Sequence, residues 1–176
     1  MTKAVFFDRD GTIVEDTGYI HKAEDFKLLP NAIEGLRRLR KFMIFIVTNQ
    51  SGIGRGIYKL EDFKKFNDRM IEELGKHKIR IEKIYYCPHA PEHNCDCRKP
   101  KTKLLEEARG EFEINLEKSF VIGDQTADIE LGKNANCRSI LVLTGNGNKT
   151  KNEIKADFVA EDLLDAAKWI LKNDNE

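Results

Sequence analysis

The stretch Ala4-Val5-Phe6-Phe7-Asp8-Arg9-Asp10-Gly11-Thr12 places four apolar residues directly before an acidic turn that contains glycine. The apolar run is too short for a helix and predicts a buried β-strand. Asp8 and Asp10 are two residues apart at its exit, so on an extended chain their side chains point the same way. Two carboxylates held close together repel each other unless a cation lies between them or one of them is protonated. The stretch therefore indicates carboxylates that bind a metal ion or attack phosphorus, with a solvated acidic turn as the alternative.

The rest of the chain alternates short apolar runs with longer amphipathic stretches. The apolar runs predict strands at 43–47, 81–86, 119–122 and 139–143, with a short sixth at 158–159. Apolar residues spaced three and four apart predict helices at 31–39, capped by Asn31, and at 60–74, 103–112, 127–134 and 161–172. This alternation predicts a single α/β domain over residues 1–176, with a Rossmann-like parallel sheet and helices on both of its faces. No segment between the predicted strands is long enough for a large cap domain.

The charge balance excludes some classes of partner. The chain has 30 Lys and Arg and 30 Asp and Glu, so its formal net charge is +0. No overall positive field attracts nucleic acid or an anionic membrane, and any charge that binds phosphate must be local. No run approaches the ~20 apolar residues of a membrane span, and the N-terminal apolar run is too short for a signal peptide. We expect a cytoplasmic monomer that binds neither nucleic acid nor membrane.

The residues that follow the other predicted strands are candidates for the binding site, because ligands of such sheets bind beyond the carboxyl ends of the strands. Thr48 to Gly52 offers a hydroxyl and amide groups that could donate to phosphate oxygens, although alone it is typical of an ordinary turn. Asp124 and Asp128 would lie over one helical turn, although Asp124 alone is typical of a helix N-cap. Lys99 could stabilise a transferring phosphoryl group, with a solvated lysine in a basic loop as the alternative.

Together these strand ends resemble the motifs of the haloacid dehalogenase-like (HAD) phosphatases. The resemblance of residues 8–12 to the first motif implies that Asp8 is the nucleophile and becomes an aspartyl-phosphate. It implies that Asp10 is the general acid for the leaving alkoxide and then the base that activates water. Thr48 matches the second motif, and Lys99 matches the cation that offsets charge on the nucleophile and the phosphate.

The same resemblance implies a catalytic Mg²⁺. Its ligands would be Asp8, the backbone carbonyl of Asp10, and Asp124. Asp128 would lie behind these ligands or be linked to the ion through water.

A cluster of thiols and imidazoles follows the third predicted strand. Cys87, His89, Cys95 and Cys97 match the ligands of a closed tetrahedral Zn²⁺ site, which argues for a structural metal that orders the loop. His93 competes with His89 as the fourth ligand, and a redox thiol pair or unligated cysteines are the alternatives. The remaining Cys137 is predicted to be a small core residue.

We call residues 87–97 the zinc-type loop. This loop and the stretch Thr48-Asn49-Gln50-Ser51-Gly52-Ile53-Gly54-Arg55-Gly56 resemble a narrower group, the heptose bisphosphate phosphatases and histidinol phosphatases. The resemblance implies that substrate is bound by residues of three loops. They are Asp16, Thr17, Gly18 and Tyr19 in the first loop, Asn49, Gln50, Ser51 and Arg55 in the second, and Arg98 in the third.

The resemblance implies a phosphatase for a small phosphorylated metabolite, most of all D-glycero-D-manno-heptose 1,7-bisphosphate with removal of the 7-phosphate. Arg98 would help to recognise the sugar phosphate, since a planar guanidinium can bind two oxygens at once. Hydrolysis of histidinol phosphate is the first alternative. A non-catalytic phosphosugar-binding protein is the second, although binding alone does not need both Asp8 and Asp10.

Overall fold

The computed structural model describes residues 2–174, and its centre is one parallel β-sheet. The strands are β1 (Ala4–Phe7), β2 (Met43–Asn49), β3 (Lys83–Cys87), β4 (Phe120–Gly123), β5 (Arg138–Val142) and β6 (Phe158–Ala160). They lie in the order β3-β2-β1-β4-β5-β6, and every neighbouring pair is parallel. The chain runs outward from β1 to β3 and then returns to β4 on the other side of β1. The strand order therefore reverses between β1 and β4, where open α/β sheets form a ligand-binding crevice at the carboxyl ends of the strands.

Seven helices connect or follow these strands within residues 2–174. They are α1 (Ala32–Arg38), α2 (Ser51–Gly54), α3 (Leu60–Lys76), α4 (Lys103–Phe112), α5 (Thr126–Asn134), α6 (Gly147–Thr150) and α7 (Leu163–Asn173). The five predicted helices and six predicted strands are all present, with ends that differ from the prediction by at most two residues. The four-residue helices α2 and α6 carry no amphipathic signal long enough to predict them.

Both faces of the sheet are covered, as predicted. Val5 and Phe7 of β1 point into the core cluster that α1, α3 and α7 complete. Ala4 and Phe6 point to the opposite face, into the cluster that α4 and α5 complete. Because side chains alternate across a strand and neither face meets water, all four positions are apolar rather than every second one.

The prediction that the Asn31 side chain caps α1 is wrong. Asn31 stands at the N-cap position, but its φ is 63° and its side chain accepts no hydrogen bond from the first turn. Its amide instead donates to the Asp162 carboxylate at 2.6 Å, and Asp162 in turn caps α7 by accepting from the Asp165 N–H at 3.0 Å. The asparagine therefore ties the starts of two neighbouring helices together.

The connections leave the carboxyl end of the sheet uncovered by any inserted domain within the described chain. Residues 8–31, between β1 and α1, form loops and one 3₁₀ turn (Ala23–Asp25). The loop after β3 contains a second 3₁₀ turn (Pro91–His93). Among residues 2–174, no helix has both the length and the apolar character needed to cross a bilayer.

The close packing of α1 against α7 gives a stability prediction. A Cβ added to Gly35 would lie 2.6 Å from the backbone carbonyl carbon of Leu163, whereas one added to Gly110 would meet nothing within 4 Å. We expect Gly35→Ala to lower the free energy of unfolding by about 1–3 kcal/mol through overpacking. Gly110→Ala, the matched control in α4, should raise it by about 0.5–1 kcal/mol through helix propensity. Urea unfolding measures both, and equal effects of the two substitutions would contradict the packing described for α1.

Candidate active site

Three buried carboxylates meet where the strand order reverses. Asp8 follows β1, Asp124 follows β4, and Asp128 lies in the first turn of α5. They are 6%, 0% and 1% exposed, and one carboxylate oxygen from each lies within 4.8 Å of the others. Like charges this close repel one another, so the group favours a bound cation or bound protons.

Lys99 reaches into this group from the loop after β3. Its ammonium donates to Asp8 Oδ1 at 2.8 Å, to Asp128 Oδ1 at 2.6 Å and to the Val47 carbonyl at 2.9 Å. These three acceptors use all three of its N–H groups. Burial alone would lower the pKa of Lys99, but the carboxylates of Asp128 and Asp8 outweigh it and raise that pKa above its ordinary value. Lys99 is therefore a permanent cation beside Asp8.

One lysine does not balance three carboxylates. Burial, opposed in part by Lys99, raises the pKa of Asp8 to about 6. Burial and the neighbouring Asp8 and Asp128 raise the pKa of Asp124 to about 8. Asp124 Oδ1 is buried and has no hydrogen-bond partner among residues 2–174, while Oδ2 accepts from the Asn146 N–H at 2.7 Å. A surplus of buried negative charge with one free carboxylate oxygen suits a hard divalent cation.

Glycines let the backbone approach Asp124 closely. A Cβ on Gly11 would lie 2.4 Å from Asp124 Oδ2, and one on Gly145 would lie 2.3 Å from the same atom. Both glycines have positive φ, 79° and 52°, which other residues adopt only with strain. The Gly11 that follows the acidic pair in the sequence is therefore required by the packing around Asp124.

The Asp10 carboxylate is not part of the close group of three and has partners of its own. It accepts hydrogen bonds from Arg9 and from Gln50, and its side chain is 19% exposed. Gln50 also donates to Thr48 Oγ1 at 2.8 Å, which leaves the Thr48 hydroxyl hydrogen available to another acceptor. The alternation argument placed Asp8 and Asp10 on the same side, but the chain turns at Arg9 and separates their environments.

A cavity of about 280 Å³ opens above Asp8. Most of the predicted substrate and catalytic residues line it, and the structure adds Tyr58, Gln125 and Ala127. The predicted residues in its wall are Asp8, Asp10, Asp16, Gly18, Tyr19, Thr48, Asn49, Gln50, Ser51, Arg98, Lys99 and Asp128. A larger groove of about 670 Å³ beside α4 contains none of these residues.

Two predicted substrate residues, Thr17 and Arg55, lie outside the cavity wall. The Arg55 guanidinium is 3.4 Å from Glu92 at the surface. Asn49 lines the cavity, but its amide holds the backbone of Lys99, accepting from the Lys99 N–H at 3.0 Å and donating to its carbonyl at 3.4 Å. Arg98 has a buried guanidinium nitrogen, Nη1, with no partner in the part of the chain that the structure describes.

The Cys and His side chains of the loop after β3 form a compact group. The Sγ atoms of Cys87 and Cys95 are 3.4 Å apart, and those of Cys95 and Cys97 are 3.6 Å apart. His89 Nδ1 lies 3.7 Å from Cys87 Sγ and 3.3 Å from Cys97 Sγ. A tetrahedral zinc with bonds of about 2.3 Å has edges of about 3.8 Å between its ligands. The four atoms are therefore spaced for one closed tetrahedral ion.

His93 and Cys137 lie outside this group. The ring nitrogen Nδ1 of His93 accepts from the Ala90 N–H at 3.3 Å, and its ring centre is 6.1 Å from that of His89. Cys137 is 6% exposed in the cluster beneath α4 and α5, as predicted for a core residue, and burial raises the pKa of its thiol to about 12.

The chain is similar to known proteins over most of its length. Residues 96–166 match the HAD-hydrolase-like family model. The D-glycero-alpha-D-manno-heptose-1,7-bisphosphate 7-phosphatase of Campylobacter jejuni is 43% identical over 154 residues, 86% of each chain. The D-glycero-beta-D-manno-heptose-1,7-bisphosphate 7-phosphatase of Haemophilus influenzae is 38% identical over 174 residues, 94% of this chain and 95% of its own.

A solved structure is similar over nearly the same span. It is the crystal structure of the D,D-heptose 1,7-bisphosphate phosphatase from B. bronchiseptica, complexed with magnesium and phosphate. It matches this fold with a TM-score of 0.91 and 28% sequence identity, over 97% of this chain and 99% of that chain.

The carboxylate group predicts how the binding of an added divalent cation such as Mg²⁺ would depend on pH. Asp8 and Asp124, with pKa values raised to about 6 and about 8, hold protons that a cation must displace. The Kd for Mg²⁺ should therefore fall as the pH rises from about 6 to about 8.5. At a concentration of about 100 times its Kd, Mg²⁺ should raise the free energy of unfolding by about 2.7 kcal/mol. For a domain of this size that raises the Tm by about 5–10 °C.

Scanning calorimetry with and without EDTA measures this shift. Asp124→Asn should lose most of it, whereas the exposed Asp68→Asn should keep it. The same Mg²⁺-dependent shift in both variants would contradict an ion held at the carboxylate group.

Proposed function

The chain belongs to the HAD-like phosphatase family, among the D-glycero-D-manno-heptose-1,7-bisphosphate 7-phosphatases, and on that premise we propose that it removes the 7-phosphate of D-glycero-D-manno-heptose 1,7-bisphosphate through Asp8. The single observation that carries the chemistry is the position of Asp8. Its carboxylate lies at the switch point of the sheet, faces the cavity and is paired with the buried ammonium of Lys99.

In the first step, Asp8 attacks the phosphorus and the bond to the sugar oxygen breaks. Asp10 gives a proton to the departing alkoxide, which otherwise is a poor leaving group. The Lys99 ammonium and the free hydroxyl hydrogen of Thr48 stabilise the charge on the oxygens of the phosphoryl group. The products of this step are the free alcohol and a phosphoryl group on Asp8.

In the second step, water attacks the phosphorus of the aspartyl-phosphate. Asp10, now ionised, takes the proton from that water, and the bond between phosphorus and the Asp8 oxygen breaks. Inorganic phosphate leaves, Asp8 returns to its carboxylate form, and Asp10 has regained its proton. One acid/base residue therefore serves both steps.

A divalent cation fits the carboxylate group, and we assign it as Mg²⁺. Asp8, Asp124 and the backbone carbonyl of Asp10 would hold it. Asp128, whose carboxylate accepts from Lys99, lies close enough to take part directly or through water. When bound, the ion supplies positive charge that offsets the developing charge on the phosphate. The free oxygen of Asp124 supports this assignment.

The Cys₃His group fits a zinc ion, for which we propose a structural role. All four positions of the tetrahedron are filled by protein, so none remains for a substrate or water. The loop it would order contacts the residues after β2 through hydrogen bonds from the Gln50 N–H to the Cys87 carbonyl and from the Gly54 N–H to the Pro88 carbonyl, 2.7 and 2.8 Å long. It also leads from Cys97 directly into Arg98 and Lys99.

The choice of a sugar bisphosphate rests on Arg98. Arg98 lines the cavity about Asp8, and its buried Nη1 has no hydrogen-bond partner among residues 2–174. A second phosphate can accept from such a guanidinium through two oxygens. Histidinol phosphate has one phosphate and an ammonium group, and the positive charge of Arg98 would repel that ammonium group. We further propose that the protein acts as a cytoplasmic monomer.

Removal of the nucleophile tests the chemistry. Asp8→Asn should lower kcat at least about 10³-fold, since it removes the attacking carboxylate. Phosphate release in the presence of Mg²⁺ measures this loss, and circular dichroism checks the fold. Asp68→Asn, the same change on an exposed face of α3, should leave kcat unchanged. Substantial residual turnover in a folded Asp8→Asn protein would rule out Asp8 as the nucleophile. If the unmodified protein releases no phosphate from any of a set of phosphorylated sugars with Mg²⁺ present, the result would favour a binding protein.

A comparison of two substrates tests the specificity. We expect kcat/KM for the heptose bisphosphate to exceed that for histidinol phosphate by at least about 10²-fold, because a site built for a charged group discriminates against substrates that lack it. Arg98→Ala should reduce this ratio chiefly through KM for the bisphosphate. A higher kcat/KM for histidinol phosphate would overturn the proposed substrate while leaving the phosphatase chemistry intact.

A further inference from the structure

Arg9, between the two aspartates of the first motif, is the largest fully buried side chain of the described fold. A buried guanidinium is costly unless every part of it is paired. The catalytic steps above give Arg9 no task, although it is adjacent to both of the residues that carry them. The proposed catalytic steps therefore do not explain why this charged side chain is buried.

The Arg9 guanidinium donates two parallel hydrogen bonds to the Asp10 carboxylate. Nε donates to Asp10 Oδ1 at 2.7 Å, and Nη2 donates to Asp10 Oδ2 at 3.0 Å. This is the fork-to-fork arrangement, which fixes the orientation of a carboxylate as well as its position. A lysine cannot reproduce it, because an ammonium is a point charge without a fork.

Other residues fix the Arg9 guanidinium on the sides that do not contact Asp10. Its Nη1 donates to Asn67 Oδ1 at 3.0 Å and its Nη2 to the Ile20 carbonyl at 3.1 Å. The guanidinium also lies over the rings of Phe66 and Phe63, 4.5 and 5.4 Å from their centres. The fork therefore cannot follow Asp10 if that carboxylate rotates.

Gln50 holds Asp10 from a second direction. Its Nε2 donates to Asp10 Oδ2 at 2.9 Å. Its Oε1 accepts from the Tyr58 hydroxyl at 2.6 Å and from Arg9 Nη2 at 3.3 Å. Because two donors are directed at the oxygen of the amide, its nitrogen must be the end that faces Asp10, to which it donates one N–H group, with the other donated to Thr48.

These contacts leave Asp10 little freedom. An ionised carboxylate has about four acceptor positions. Two on Oδ2 and one on Oδ1 are occupied, so the free position is on Oδ1. We propose that Arg9 is a positioning residue which, with Gln50, fixes the Asp10 carboxylate so that it exchanges its proton through Oδ1 alone. This inference rests on the acid/base role of Asp10 proposed above.

The alternative is a purely structural ion pair that joins the first motif to α3. The two accounts differ in how activity depends on the leaving group. If Arg9 positions the acid, its loss matters most where the leaving oxygen needs a proton and little where it does not. A structural defect in the site would slow all substrates alike.

The experiment uses a series of ring-substituted phenyl phosphates, whose leaving groups differ in basicity but little in shape. The quantity measured is kcat/KM with Mg²⁺ present, which reports the step that breaks the bond to the leaving oxygen. We expect Arg9→Lys to lower kcat/KM for phenyl phosphate about 10²-fold, and that for 4-nitrophenyl phosphate less than about threefold. The dependence on leaving-group basicity should become as steep as in Asp10→Asn.

A double-mutant cycle and a matched control sharpen the result. Arg9→Lys introduced into Asp10→Asn should have no further effect, because Arg9 would act only through Asp10. Arg138→Lys is the control, since Arg138 also lies over aromatic rings, Phe120 and Trp169, but on β5 outside the cavity. It should leave the dependence on the leaving group unchanged. If Arg9→Lys does not fold, Gln50→Leu takes its place, with an expected loss of about tenfold for phenyl phosphate and the same steepening.

The outcomes separate the inference from the function on which it rests. A uniform loss across the series, no loss, or additive effects in the double mutant would overturn the positioning role of Arg9. An unchanged dependence in Asp10→Asn itself would instead overturn the acid role of Asp10.

Discussion

Three carboxylates and one ammonium are buried together at the carboxyl ends of β1 and β4, and their charges do not cancel. Asp8, Asp124 and Asp128 face a single Lys99, so the site keeps a surplus of negative charge that burial makes costly. The divalent cation that we propose would offset this imbalance and keep Asp8 ionised for its attack on phosphorus. The two glycines that allow the close approach to Asp124, and the hydrogen bonds of Lys99 to Asp8 and Asp128, maintain this arrangement.

Much of the fold follows from local sequence, because the physical signals are local. The run Ala4–Phe7 is apolar at every position since helices cover both sides of β1, and α3 shows its buried face at spacings of three and four. The positions of Asp8, Asp124 and Lys99 follow from the rule that strand ends meet at one edge of a parallel sheet. The sequence was therefore sufficient to place the chemistry at that edge.

Other features depend on partner residues that are distant in the chain, and no local sequence pattern predicts these features. Asn31 resembles an N-cap, but Asp162 offers its amide a better acceptor. Arg9 lies between two aspartates in a polar turn, yet its side chain is buried and pairs with Asn67, 58 residues away. Tyr58 lines the cavity without any motif of its own. The division of tasks within the site is thus a property of tertiary packing more than of motifs.

The central claim is that a phosphoryl group passes through Asp8, and chemical trapping tests it directly. Enzyme turning over substrate with Mg²⁺ is quenched in acid and treated with borohydride, which reduces an acyl phosphate to the alcohol and so converts the aspartate that carried it into homoserine. Peptide mass spectrometry should find homoserine at position 8, dependent on substrate and absent from Asp8→Asn. The Asp10→Asn variant is treated in the same way with 4-nitrophenyl phosphate, whose leaving group needs no proton, so that only the second step is slowed. Homoserine at another aspartate, or none at position 8 in this variant while the same treatment reduces acetyl phosphate, would contradict the account.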